Sequence, residues 1–254
     1  MILAVDIGNT NIVVGCIKGE EICFVERMST EATRTELEYA ISFKNVLEMY
    51  GISIEQLDGG IISSVVPPVT NIVKRSVEKI LNTEVMLIGP GVKTGLNILM
   101  DDPRQVGSDR IVNAVAVVHE YPVPAAIIDM GTATTLSVLD KSGAFLGGVI
   151  AAGVRLTLKA LTENTSQLTS IPITAPSSVI SPNTVECMQS GLVYGTAAML
   201  DGLLNRIENE LGEAPTVVAT GGLSKEIIAY CEHNIIYNEN LLLEGLRTVY
   251  EKNN

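Results

Sequence analysis

Two short stretches, Asp6-Ile-Gly-Asn-Thr10 and Asp129-Met-Gly-Thr-Ala133, stand 123 residues apart, close to half of a 254-residue chain. Each begins Asp-x-Gly and continues with small polar residues. Each is preceded by an apolar run (Ile2 to Val5; Ala125 to Ile128) and followed by a second strand pattern. Apolar run, polar turn and apolar run describe a β-hairpin. Its recurrence at half the chain length describes a duplicated domain, which constrains the fold more than any other feature. A hairpin tip with a carboxylate, a glycine and a hydroxyl is what a loop wrapped round Mg²⁺ and phosphate needs. The same residues also form ordinary turns, and the first copy alone does not decide between the two.

The surrounding pattern supports duplication. Ile22 to Met28 reads as a third antiparallel strand, with Ser29-Thr30-Glu31 and Thr33 as candidate caps of the helix that follows. Leu37, Ala40, Ile41, Val46, Leu47 and Tyr50 recur at helical spacing. Gly60 to Val66 predicts a strand, Pro67-Pro68 suits the first turn of a helix, and Val85 to Ile88 predicts a short strand. A meander followed by helix, strand, helix, strand is the order of a ribonuclease-H-like unit. Gly91-Val-Lys-Thr94 lacks the upstream glycine spacing of a Walker loop and reads as a turn. A helix beginning near Gly107-Ser-Asp-Arg110 buries Ile111, Ala114, Val115 and Val118.

After the second hairpin, Phe145 to Ile150 is a strand and about Gly153 to Glu163 a helix. A long helix from Thr184 to about Leu211 turns Met188, Leu192, Met199, Leu203 and Ile207 inward. Gly191, Gly195, Ala198 and Gly202 along it permit close helix packing, within the fold or across a dimer. Thr216 to Ala219 is a strand feeding Thr220-Gly221-Gly222. Ser224 caps a helix to Cys231, and Leu241 to Tyr250 makes a final helix. The expected fold class is α/β: two ribonuclease-H-like domains, residues 1–118 and 119–254, in an actin/hexokinase/Hsp70-like duplicated fold with an interdomain cleft.

Charge and composition exclude several functions. A net charge of −12 disfavours nucleic acid and anionic membrane as main partners, and the absence of Trp leaves little for base stacking. Cys16, Cys23, Cys187 and Cys231 have no C-x-x-C spacing and form no ligand pattern with His119 or His233, so reduced core thiols are expected. No stretch reaches membrane-span length and the N-terminus lacks a basic leader, so a cytoplasmic location is expected.

Phosphoryl transfer demands mainly positioning and charge neutralisation. Thr10 and Thr132 offer hydroxyls, Gly8 and Gly131 expose backbone amides, and Asp6 can hold Mg²⁺ through its waters. The Gly221-Gly222 pair lets a flat adenine ring lie against bare backbone. Asp109 in a first helical turn is favoured by the macrodipole, whereas Arg110 there opposes it, which points to an anion to be bound. A carboxylate at that place also suits a general base toward a substrate hydroxyl.

The ordered set Asp6 to Thr10, Gly107 to Arg110, Asp129 to Thr134 and Thr220 to Gly222 closely resembles type III pantothenate kinases, of the acetate kinase/Hsp70/actin superfamily. The resemblance spans the whole chain, including Ile62-Ser-Ser-Val-Val-Pro67 and Pro90 to Gly95. It implies ATP-dependent phosphorylation of pantothenate to 4′-phosphopantothenate, the first step of coenzyme A synthesis. Asp6, Ile7, Gly8, Asn9, Thr10, Asn11, Ile12 and Val13 would form the first phosphate loop, and Thr132 would touch ATP. Gly107, Ser108, Asp109 and Arg110 would hold pantothenate, with Asp109 as proton acceptor and Arg110 near the substrate carboxylate. Asp129 would lie near a monovalent cation, K⁺ or NH₄⁺. Thr184 would reach the pantothenate pocket from the second subunit of a homodimer. The chain departs from the family pattern at Met100, often Tyr, at Ser181-Pro182, often Gly-Lys/Arg, and at Ala152, often Pro. Two rivals remain: another small-molecule kinase of the superfamily, and a non-catalytic ATP-binding regulator.

Overall fold

The computed structural model describes residues 1–254. Strands β1 (Ile2–Ile7), β2 (Asn11–Lys18) and β3 (Glu21–Ser29) form a meander, followed by α1 (Glu36–Met49), β4 (Gly59–Ser64), α2 (Pro67–Leu81), the two-residue β5 (Met86–Leu87) and α3 (Ser108–Glu120). The order then restarts with β6 (Ala125–Met130), β7 (Ala133–Leu139), β8 (Phe145–Ala152), α4 (Val154–Glu163), α5 (Thr184–Leu211), β9 (Thr216–Thr220), α6 (Ser224–Ile228) and β10 (Ile235–Tyr237). Helix α7 (Leu241–Asn253) ends the chain.

Two five-stranded sheets result, ordered β3-β2-β1-β4-β5 and β8-β7-β6-β9-β10. In each, the first strand is central, antiparallel to the second and parallel to the fourth. Each half is therefore a ribonuclease-H-like α/β unit, and the two share one topology.

The units are not divided at one point in the sequence. The first comprises 1–96, 102–119 and 241–254, and the second 97–101 and 120–240. A single boundary near residue 118 therefore misassigns α7, which packs on β1 and β4 of the first unit. The reason is burial. Leu243, Leu246 and Val249 cover the same face of the first sheet as Val112 and Val115 of α3, against Ile2, Ala4 and Ile61. Without α7 much of that apolar face would stay open to water, at about 25 cal/mol per Å².

Alternation along β1 sorts its side chains. Leu3, Val5 and Ile7 face α1 and α2, where they meet Phe43, Val69 and Val73. Ile2 and Ala4 face α3 and α7. Asp6 continues this second row and is only 8% exposed.

Several local expectations shift. The cap of α1 is Thr35, which forms a reciprocal capping box with Glu38, and not a residue of the 29–33 stretch. Strand β4 stops at Ser64, and Val66 precedes α2. Helix α6 ends at Ile228; Ser224 is its first residue and donates its hydroxyl to the Thr220 carbonyl without capping the helix. Strand β10 carries too short an apolar run to stand out in the sequence. Of the cysteines only Cys16 is buried, and Cys187 is exposed, so the thiols are free but not all in the core. Along α5 the buried stripe also includes Val193, Ala197, Leu200 and Leu204. A Cβ at Gly191 or Gly195 would meet nothing within 4 Å, so no partner within the chain requires these glycines. No helix is long and apolar enough to cross a membrane.

Helices α3 and α7 meet at close range at Gly245. A Cβ there would collide with the Val112 carbonyl oxygen and stand 2.8 Å from Val112 Cγ1. Neither helix can retreat without opening the packed face. Gly245→Ala is therefore expected to lower stability by about 1–3 kcal/mol, seen as a fall in the denaturant midpoint. An unchanged midpoint would show that the helices part freely.

Candidate active site

In the first unit four polar features gather where β1 and β4 leave the sheet. The hairpin loop between β1 and β2 is closed by the Gly8 N–H donating to the Asn11 carbonyl at 3.0 Å. Gly8 sits so near that a Cβ would stand 3.1 Å from the Asn11 oxygen, which explains the glycine by close approach and not by a left-handed backbone. Asn9, Thr10 and Asn11 are exposed at the tip.

Thr30, just past β3, braces this loop from behind. Its hydroxyl donates to the Gly8 carbonyl at 2.6 Å, and its N–H donates to the Thr10 carbonyl at 3.0 Å. In a trans peptide the C=O and the following N–H point in opposite directions. A Gly8 carbonyl held toward Thr30 therefore turns the Asn9 N–H away from β3, ready for an anion. Tyr39 steadies the segment in turn: its hydroxyl accepts from the Glu31 N–H and donates to the Glu31 carbonyl, both at 2.9 Å. Sequence reasoning places Thr30 only among helix caps. Its partners lie twenty or more residues away, and no local pattern marks them.

Helix α3 begins at Ser108, with the Gly107 carbonyl accepting its first bond from Ile111. The Ser108 hydroxyl donates to the Ser64 carbonyl at 2.8 Å and accepts from the Ser64 N–H and the Ser63 hydroxyl, both at 3.0 Å. One proton given and two accepted exhaust a serine hydroxyl. The Ser108 side chain is thus committed to β4 and has no donor proton to spare. Its backbone N–H, in the first turn of α3, is one of the amides a helix cannot satisfy internally.

Asp109 is half-buried and folds back over Gly107, so that a Cβ on Gly107 would strike its Oδ1. Oδ1 accepts from the Arg110 N–H at 2.8 Å. Burial pushes the Asp109 carboxyl above the ordinary carboxylate range; the Arg110 N–H and guanidinium oppose that rise without cancelling it. Arg110 is half-buried beside it, and burial draws its pKa downward against the pull of Asp109. A carboxylate with raised pKa next to a cation, at a helix N-terminus, suits a general base acting on an anionic substrate.

The second unit repeats part of this arrangement. The Gly131 N–H donates to the Ala133 carbonyl at 3.1 Å, and Gly131 and Thr132 are exposed. A Cβ on Gly131 would meet only ordinary contacts, 3.7 Å and beyond, so chain packing does not demand this glycine. Gly153, ahead of α4, donates to the Thr132 carbonyl at 3.1 Å and presses against both loop carbonyls, which welds the helix to the hairpin.

Asp129 stands in register with Thr135 on β7 and Thr220 on β9. Residues in register on neighbouring strands share a face, so a carboxylate lies between two threonines. Asp6 has the matching position in the first unit, in register with Ser63 on β4.

Gly221 is fixed by the neighbouring strand. With φ of +100° and a Cβ position 2.6 Å from the Met130 N, it is glycine because the backbone of β6 lies against it. Gly222 next to it is exposed and remains open to a ligand. Thr184 is exposed at the start of α5, beside a groove of about 400 Å³ lined by Leu161, Leu168, Met188 and Leu192. Met100 is half-buried.

The family model described as "Type III pantothenate kinase" matches residues 2–206. Proteins of that name from Brevibacillus brevis and an Exiguobacterium species are each 44% identical to the chain. One from Halalkalibacterium halodurans is 41% identical. Each alignment covers 100% of this chain and at least 99% of the relative. Among solved structures, a protein described as a Baf family transcriptional activator from Campylobacter jejuni superposes with a TM-score of 0.64 at 17% identity, covering 99% of this chain and 98% of that one. A ROK hexokinase from Thermus thermophilus gives 0.51 at 14% identity, covering 100% and 99%. At such identities these two show the fold alone.

Proposed function

We propose that this chain, which belongs to the type III pantothenate kinase family and phosphorylates pantothenate with ATP in coenzyme A biosynthesis, uses Asp109 to accept the proton of the pantothenate hydroxyl. The observation that carries this role is the half-buried carboxylate at the start of α3, with its pKa raised by burial and its Oδ1 steadied by the Arg110 N–H. Oδ2 is then the oxygen to take the proton as the hydroxyl attacks the γ-phosphorus. Arg110 receives the substrate carboxylate, and the Gly107 and Ser108 backbone supports it.

The first hairpin, Asp6 to Val13, binds the phosphates through the amide that Thr30 aims outward. On the second unit, Thr132 and Gly222 are the residues we assign to ATP, with Gly221 shaping the turn. A divalent ion accompanies ATP in such kinases, and we assign it as Mg²⁺ near Asp6. The chain has no cluster of three or more acidic, His or Cys side chains. That donor set fits an ion arriving with phosphate oxygens and keeping its waters. Bound there, it neutralises charge on the transferring phosphoryl group.

Asp129 with the threonines in register, Thr135 and Thr220, forms an all-oxygen set that fits a monovalent cation such as K⁺ or NH₄⁺. The exposed small-residue stripe Gly191, Gly195 and Ala198, continuous with Thr184 one helical face along, supports a homodimer through α5. A cytoplasmic location accords with that chemistry.

Asp109→Asn is expected to cut pantothenate-dependent ADP formation by about 10²–10⁴ while ATP binding is kept. In the wild type the rate should fall with decreasing pH through a value above the ordinary carboxylate range, because a base must be deprotonated and burial raises this one. Unchanged turnover in the variant would remove the base assignment. In the same assay Na⁺ in place of K⁺ should slow the reaction; equal rates would take Asp129 out of the cation role.

Thr30→Val keeps the shape and removes the hydroxyl. It is expected to raise the KM for ATP about three- to tenfold, the worth of one net hydrogen bond, with Thr30→Ser near wild type. A valine variant with wild-type KM would show that the loop holds its orientation unaided.

A further inference from the structure

We infer that Ser63, through Ser108, is a positioning residue for the proton acceptor at Asp109. This rests on the role proposed for Asp109. Ser63 is fully buried, so it reaches no substrate itself. It sits at the end of β4, in register with Asp6 on β1 and on the same face of the sheet, the face that α3 covers. Its hydroxyl donates to Ser108 Oγ at 3.0 Å. The Ser108 hydroxyl in turn donates a hydrogen bond to the Ser64 carbonyl and accepts one from the Ser64 N–H. The first residue of α3 is thereby pinned to the last two residues of β4, and Asp109 follows directly.

The next residue of the strand shows the same device on the other face. Ser64 Oγ lies 2.7 Å from Thr70 Oγ1 and accepts the Val66 N–H at 3.2 Å, while Thr70 donates to the Val66 carbonyl at 2.9 Å. Adjacent serines on a strand point to opposite faces, so one fastens α3 and the other α2. Between them they set two helix N-termini against the strand end beside the phosphate loop. Of the two side chains, only that of Ser63 bonds the helix that carries the base; Ser64 reaches it through its backbone. A base displaced by a fraction of an ångström loses much of its rate, whereas nucleotide binding at the first hairpin does not pass through this bond.

The test compares Ser63→Ala, the near-isosteric Ser63→Cys, Ser108→Ala and the double Ser63→Ala/Ser108→Ala variant, all in the full chain. Ser63→Ala should lower kcat about five- to tenfold with the KM for MgATP unchanged. Ser63→Cys, which retains a weak donor, should fall between it and wild type. In the Ser108→Ala background the second substitution should cost nothing more, because Ser63 acts through Ser108. Wild-type kcat in Ser63→Ala, a loss confined to the KM for MgATP, or a full additional loss in the double variant would each overturn the inference. These results differ from failure of the functional reading itself, which would show as a wild-type chain with no pantothenate-dependent ADP.

Discussion

The first unit depends on how a strand buried on both faces comes to an end. Leu3, Val5 and Ile7 are sealed under α1 and α2, and Ile2 and Ala4 under α3 and α7. Where β1 leaves the sheet it must meet polar surroundings, since a buried charge without partners costs several kcal/mol. Asp6 occupies that point, in register with Ser63, whose own hydroxyl bonds Ser108 at the start of α3. The end of that strand thus brings a carboxylate, the Asp-x-Gly hairpin and a second carboxylate, Asp109, to one sheet edge. Structure and chemistry share the residues.

Duplication repeats the framework and then departs from it. Asp129 and Thr220 stand where Asp6 and Ser63 do. After the strand, the first unit continues with Ser64 and a proline-initiated helix, while the second continues with Gly221 pressed against the Met130 backbone. The first copy fastens helices with hydroxyls and so fixes the start of the helix that carries Asp109, the proposed base. The second brings backbones together and leaves Gly131, Thr132 and Gly222 exposed. Asp109 and Arg110 both belong to the first unit, which is where the base and the acceptor substrate are proposed.

Much of this was legible in the chain itself. The two Asp-x-Gly hairpins announce themselves because strand periodicity and turn chemistry are local. Helix α5 was readable to its ends because Asn183 caps it and Gly212 stops it. What was not legible depends on long-range contacts. Helix α7 reads as part of the second half, yet its apolar stripe fits the first sheet. Thr30 and Ser63 look like a cap and a strand residue, and their partners lie 22 and 45 positions away. Ser108 reads as one residue of a short motif, and nothing local shows that its hydroxyl is taken up by β4. Gly221 shows the converse: a glycine that suggests a ligand site is demanded first by a neighbouring backbone.

The most direct measurement is a crystal structure of the full chain with Mg²⁺, a non-hydrolysable ATP analogue and pantothenate. The pantothenate hydroxyl should lie within hydrogen-bond distance, about 2.6–3.2 Å, of an Asp109 carboxylate oxygen, with its carboxylate toward Arg110. A hydroxyl bonded to another side chain, with Asp109 turned away from the substrate, would contradict the assignment of the base.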